Sequence, residues 1–136
     1  MHDYITIAAG IAGGFFAALL GGWDAGLQTL LIFMTIDTIS GVALAGFFKN
    51  SKKCRSGALS SKCSWRGLCK KGMQLLIVLI GYRLDIMLGA DFVRTAVIIA
   101  FIANELLNII ENASLMGIPV PSALSKALDL LQEKGQ

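Results

Sequence analysis

The chain has 136 residues, of which 55% are apolar and 15% charged, against roughly 45–50% and about 25% in soluble globular domains. Its apolar residues come in blocks long enough to cross a hydrocarbon core, which takes about 20 residues, and this excludes an ordinary soluble fold. The net charge of +3 is concentrated in one segment between apolar blocks, so anionic lipid headgroups are the expected partner and nucleic acid is not.

The first predicted span covers residues 4–20. It has no basic amino-terminal region, since Asp3 is the one charge before it, so it is read as part of the mature protein rather than a cleaved signal. Ala9, Gly10, Gly13, Gly14, Ala17 and Ala18 recur three or four residues apart and form a flank that a second helix can approach closely, within one subunit or between two. Gly21-Gly22-Trp23-Asp24 makes a short outward turn, and residues 25–48 form the second span. Near its middle, Asp37 stands among Thr35, Thr38, Ser40 and Gly41. A carboxylate at that depth costs on the order of 2.5–3.5 kcal/mol, so Asp37 should face protein or water. An interhelical hydrogen bond, a place on a water-lined path or in regulated assembly, and proton-coupled transport are all open to it.

Residues 49–71 form the one long polar stretch. Lys49, Lys52, Lys53, Arg55, Lys62, Arg66, Lys70 and Lys71 supply eight positive charges with no acidic residue, leaving −5 for the rest of the chain. The positive-inside bias makes this segment a cytoplasmic loop and a topological anchor. Cys54, Cys63 and Cys69 all fall in it and are expected to be free thiols, because the cytoplasm is reducing and the spacing lacks a zinc knuckle.

A third span is expected over 72–88, with Arg83 snorkelling to the outer surface and Asp85 pairing with it or with Arg94 across the turn. The fourth span covers 92–112. At 100° per residue Asn104, Glu105, Asn108, Glu111 and Asn112 fall within an arc of about 120°, with Arg94 upstream on the same arc. Such a stripe must face other helices, other subunits or water. Paired carboxylates also serve glycosidases, but nothing here forms a concave soluble site, and neither catalysis, cofactor nor metal is expected. After Pro119 and Pro121, Ser122 can cap a short amphipathic helix over 122–134, suited to the membrane surface or to a neighbouring helix. The expected architecture is therefore an all-α integral membrane protein. About four transmembrane helices form two hairpins, joined by the basic cytoplasmic loop, and both termini are inside.

From about Leu31 to Leu131 the chain resembles the phage lysis and toxin-secretion holin family of Gram-positive bacteria and their phages. The residues that carry the resemblance are Asp37-Thr38-Ile39-Ser40-Gly41, then Ser60-Ser61 leading to Gly67-Leu68-Cys69-Lys70-Lys71, then Asn104-Glu105 through Glu111-Asn112, and Gly117 to Pro121. Asn108 stands where many members carry serine, and the three cysteines are not a family feature. The resemblance implies a non-enzymatic homo-oligomer in the bacterial cytoplasmic membrane that opens lesions for an endolysin or a large toxin. Read without it, the residues also fit a small four-helix transporter or ion channel, or a non-pore scaffold or holin regulator. Small dimeric transporters carry their working glutamate in the first helix, whereas residues 5–20 contain no ionisable group.

Overall fold

The computed structural model describes residues 1–48 and 61–135. Among these it is entirely helical. Helix α1 is His2–Leu19; α2 is Ala25–Ala43, continued by a wider π-helical turn over Leu44–Phe48; α3 is Ser61–Leu88, α4 is Val93–Leu115 and α5 is Ser122–Lys134. Three of them, His2–Leu19, Ala25–Phe48 and Val93–Leu115, are long and apolar enough to cross a membrane.

Helix α3 departs from the expected third span. It begins at residue 61, so the last eleven residues assigned to the basic loop are helical, and residues 49–60 lie outside the described residues. Lys62, Arg66 and Lys70 recur every four residues and stay exposed on one side, whereas Lys71, 100° further round, turns inward. Cys63 is disulfide-bonded, which corrects the expectation of three free thiols. Compartment and spacing alone do not set pairing; the approach of two sulfurs does. Cys69 is a free, exposed thiol, and Cys54 lies outside the described residues.

Each packed helix turns one line of side chains inward, and each line holds both apolar and charged positions. Leu27, Leu30, Met34 and Asp37 follow one another down α2; Lys71, Val78 and Asp85 repeat every seven residues in α3; Arg94, Ile98, Ile102, Glu105 and Asn112 run down α4. Leu30, Met34, Val78, Ile98 and Ile102 form the apolar layer where α2, α3 and α4 meet. Ile98 approaches Gly26, and Asn112 approaches Asp37, so α2 and α4 run parallel. Gly81 lies against Arg94 while Lys71 reaches Glu105, so α3 runs antiparallel to both.

The outer faces are apolar: Ile32, Ile36 and Ile39 of α2 and Leu76, Ile80 and Leu84 of α3 are exposed. A bundle with charges inside and aliphatic side chains outside suits lipid as its solvent. Helix α1 has no buried residue, and among the described residues no other helix comes within 4 Å of where a Cβ would stand at Gly10, Gly13 or Gly14. After α4, Gly117 takes a positive φ of 85° and the chain turns back. Helix α5 then lies antiparallel on α4, with Leu128 against Ala103 and Leu106 and Gly135 against Ala100. Its amphipathic face thus meets a neighbouring helix. Pro121, not Ser122, occupies the capping position, because Ser122 already has helical geometry and makes no side-chain cap.

Candidate functional site: two buried charge nodes

The apolar layer separates two polar nodes. At one end, where the α1–α2 and α3–α4 turns meet, Arg94 is buried and spent on the backbone. Its Nε donates to the carbonyl of Leu20, its Nη2 donates to the carbonyl of Gly22 at 3.0 Å, and its Nη1 meets Asp24 Oδ2 at 2.6 Å. Leu20 and Gly22 follow the last turn of α1, so the guanidinium satisfies carbonyls that the helix end leaves without partners. Asp24 also caps α2, its Oδ1 accepting from the Leu27 N–H at 2.9 Å. The hydrogen bond from Arg94 holds the Asp24 carboxyl below its ordinary pKa. A lowered folded-state value means that this contribution to stability is complete above the ordinary carboxylate range and is lost as pH falls through the lowered one.

Asp85 completes this node by accepting from the backbone N–H groups of Val93 at 2.9 Å and Arg94 at 3.0 Å, which caps α4. The expected pairing of Asp85 with a guanidinium is therefore replaced by a pairing with backbone, and Arg83 is exposed. Gly21 makes the crowding possible. Its φ is 98°, and a Cβ there would overlap Arg94 and fall 2.8 Å from the Tyr82 ring. Gly22 has φ 107° but open space around it. Gly21→Ala is thus expected to destabilise the bundle by about 2–4 kcal/mol, combining strain and overlap, and Gly22→Ala by about 1 kcal/mol from strain alone. Denaturant titration of the two variants in one detergent checks the difference.

The other node sits about twelve residues, or about 18 Å, along α2 and α4 from their first residues. Lys71 Nζ lies 2.8 Å from Asp37 Oδ2 and 3.0 Å from Glu105 Oε2, bridging two carboxylates whose side chains are 0% and 2% exposed. Asn112 Nδ2 donates to Asp37 Oδ1 at 3.2 Å and to Ser40 Oγ at 2.9 Å. Ser40 Oγ in turn donates to the Asp37 carbonyl at 3.1 Å. One cluster therefore ties α2, α3 and α4 together. Thr35 and Thr38 take no part, since each hydroxyl donates to the carbonyl four residues back in its own helix. One turn beyond Lys71, the Gln74 side-chain oxygen is buried with no hydrogen-bond partner among the described residues.

Two buried carboxylates on one ammonium are held by geometry more than by net energy. The pair interaction offsets a desolvation cost of similar size, while removal of one partner costs roughly 3–5 kcal/mol. The cluster, a latch in form, ties α2, α3 and α4 into one packing arrangement.

The stripe expected on α4 is divided. Glu105 and Asn112 join the latch, and Arg94, within about 20° of them on the wheel, belongs to the opposite node and does not touch the stripe's other members. Asn104, Asn108 and Glu111 span about 60° on the adjacent line; Asn104 and Glu111 are exposed and Asn108 is half-buried. Sequence reasoning placed Lys71 at the membrane surface with the other basic residues and missed its inward role. The signal was its phase: Lys71, Val78 and Asp85 repeat every seven residues, and Lys70 does not share that line.

The bacteriophage holin family profile matches residues 14–133. An uncharacterized 14.9 kDa protein of Clostridium perfringens is 35% identical over 134 residues, covering 97% of this chain and 96% of that one. An uncharacterized protein of Listeria monocytogenes is 35% identical over 123 residues, 90% and 82% of the two chains. A probable holin of Bacillus phage phi105 is 30% identical over 107 residues, 78% of this chain and 73% of the phage protein. No solved structure matches. With a family match running from α1 into α5, the chain belongs to the bacteriophage holin family.

Proposed function

We propose that this protein is a holin of the bacterial cytoplasmic membrane that assembles with copies of itself and opens a lesion through which an endolysin or a large toxin leaves. In this reading α1 to α4 make four crossings, both termini are cytoplasmic, and the basic start of α3 stays inside. Lys62, Arg66 and Lys70, with exposed Trp65 beside them, face anionic headgroups at about 1 kcal/mol for each basic residue near the surface. Family membership supports the role, and one observation carries the mechanism: the polar residues of α4 fall on two lines, one closed by Lys71 and one left open on the outside of the bundle. A single subunit is too thin to enclose a passage for a protein. Several subunits must surround it, with a face that tolerates water turned inward. The Asn104, Asn108 and Glu111 line is such a face, and the latch behind it holds the closed packing.

Expression in bacteria with a co-expressed endolysin tests this. Rapid collapse of membrane potential followed by release of the folded enzyme is the expected result. Ion leakage with the enzyme retained would replace the lesion with a small channel, and substrate-dependent proton flux without lysis would replace it with a transporter.

A further inference from the structure

Helix α5 occupies a place that lipid cannot share. It runs back along α4 from Leu106 to Ala100, so its last turn lies only about 10 Å from the start of a helix that crosses the membrane. Leu128 is its one buried residue, while Lys126, Asp129, Glu133 and Lys134 are exposed on its outer side. Four charges at that depth are incompatible with hydrocarbon around them. Seated on α4, α5 therefore requires water on its outer face.

The neighbouring surface has the same requirement. Leu131 packs against the apolar layer of α2, α3 and α4, so Asp129 and Gln132, exposed on the other flank of α5, point away from that layer, as do exposed Asn104 and Glu111 on α4. The exposed polar side chains of the two packed helices, Asn104 and Glu111 on α4 with Asp129 and Gln132 on α5, make up an α4–α5 polar band. The seat is also specific: a Cβ on Gly135 would meet the Ala100 backbone at 3.2 Å, so the helices approach closely there.

We propose that α5 is a conditional wall of the lesion. It lies on the membrane surface while the subunit is surrounded by lipid, and it docks on α4 when copies of this chain enclose water, so that the α4–α5 band lines the aqueous interior. This rests on the holin reading, and the two are separable, because loss of membrane potential in the parent reports on the lesion and the α4–α5 contact reports on α5.

The test is the double variant Ala100→Cys with Gly135→Cys in the full chain, with the native cysteines retained and the 100–135 bridge identified by peptide mapping. Membranes are sampled before and after collapse of the potential and oxidised briefly with copper–phenanthroline. The bridge is expected to be scarce before collapse and to rise several-fold after it. Gly135→Cys alone is expected to open as fast as the parent, showing that the added Cβ is accommodated; equal bridge yield at both times would then make α5 a permanent cover, and absence at both would mean that it never docks in the membrane, and either overturns the proposal. Leu128→Asp, which unseats α5 without touching the α2–α3–α4 layer, is expected to slow collapse several-fold at matched membrane levels. Unchanged or faster collapse would likewise overturn it.

Discussion

Lys71→Met is expected to open early. The change keeps the length and most of the volume of the side chain while removing the ammonium that bridges Asp37 at 2.8 Å and Glu105 at 3.0 Å. Two buried carboxylates then face each other without that cation, and the closed packing loses roughly 3–5 kcal/mol, the usual cost of breaking a buried pair from one side. A shift of that size changes a two-state equilibrium by at least a hundredfold, at about 1.4 kcal/mol per factor of ten. The measurement is time to collapse of membrane potential after induction, at equal protein in the membrane. Lys70→Met is the control, since Lys70 is exposed, carries the same charge and does not touch the cluster. If the two variants open at the same time, Lys71 acts as one more surface charge. The triple change Lys71→Met, Asp37→Asn, Glu105→Gln, which leaves no buried charge behind, is expected to restore a delay.

Glu105→Gln has the opposite expected effect, a delayed or abolished lesion with normal insertion. An ionised Glu105 gains hydration when the bundle opens to water, and that gain favours the open state; the amide has little of it. In the closed state the amide oxygen can still accept from Lys71, and Lys71 keeps Asp37, so the latch survives. Because Lys71 keeps the Asp37 carboxylate as counter-ion, the change leaves no buried charge unpaired and does not weaken the closed packing as Lys71→Met does. Glu111→Gln is expected to do less, because Glu111 is exposed and takes no part in the cluster. Collapse of potential as fast as in the parent, with the same cargo released by Glu105→Gln, would show that the carboxylate only packs helices.

Much of this was legible in the chain. Blocks of apolar residues on both sides of a basic segment announced the helices, because hydrocarbon demands internally satisfied backbone and admits little else. The spacing of Asn104, Glu105, Asn108, Glu111 and Asn112 announced a polar line on α4, and Asp37 announced a polar contact within α2. The Asp37 to Gly41 and Asn104 to Asn112 segments carried the family resemblance, which the profile match over residues 14–133 bears out.

What composition and periodicity could not supply was phase between helices. A wheel puts Arg94, Glu105 and Asn112 on one side of α4, but only packing against α2 and α3 assigns the first to one node and the other two to the second, with Ile98 and Ile102 between them. Charge counting treats Lys70 and Lys71 alike; their 100° separation sends one to solvent and the other to Asp37 and Glu105. The seat of α5 is likewise a tertiary result, since an amphipathic segment fits a membrane surface and a helix face equally well until a close approach such as Gly135 on Ala100 selects one. By itself, then, the sequence determined the solvent, the all-helical class and the polar line on α4, because those depend on transfer energies summed along the chain. The tertiary structure decided which charges meet, because a buried ion pair depends on distances of about 3 Å between side chains far apart in sequence, and no local pattern encodes those.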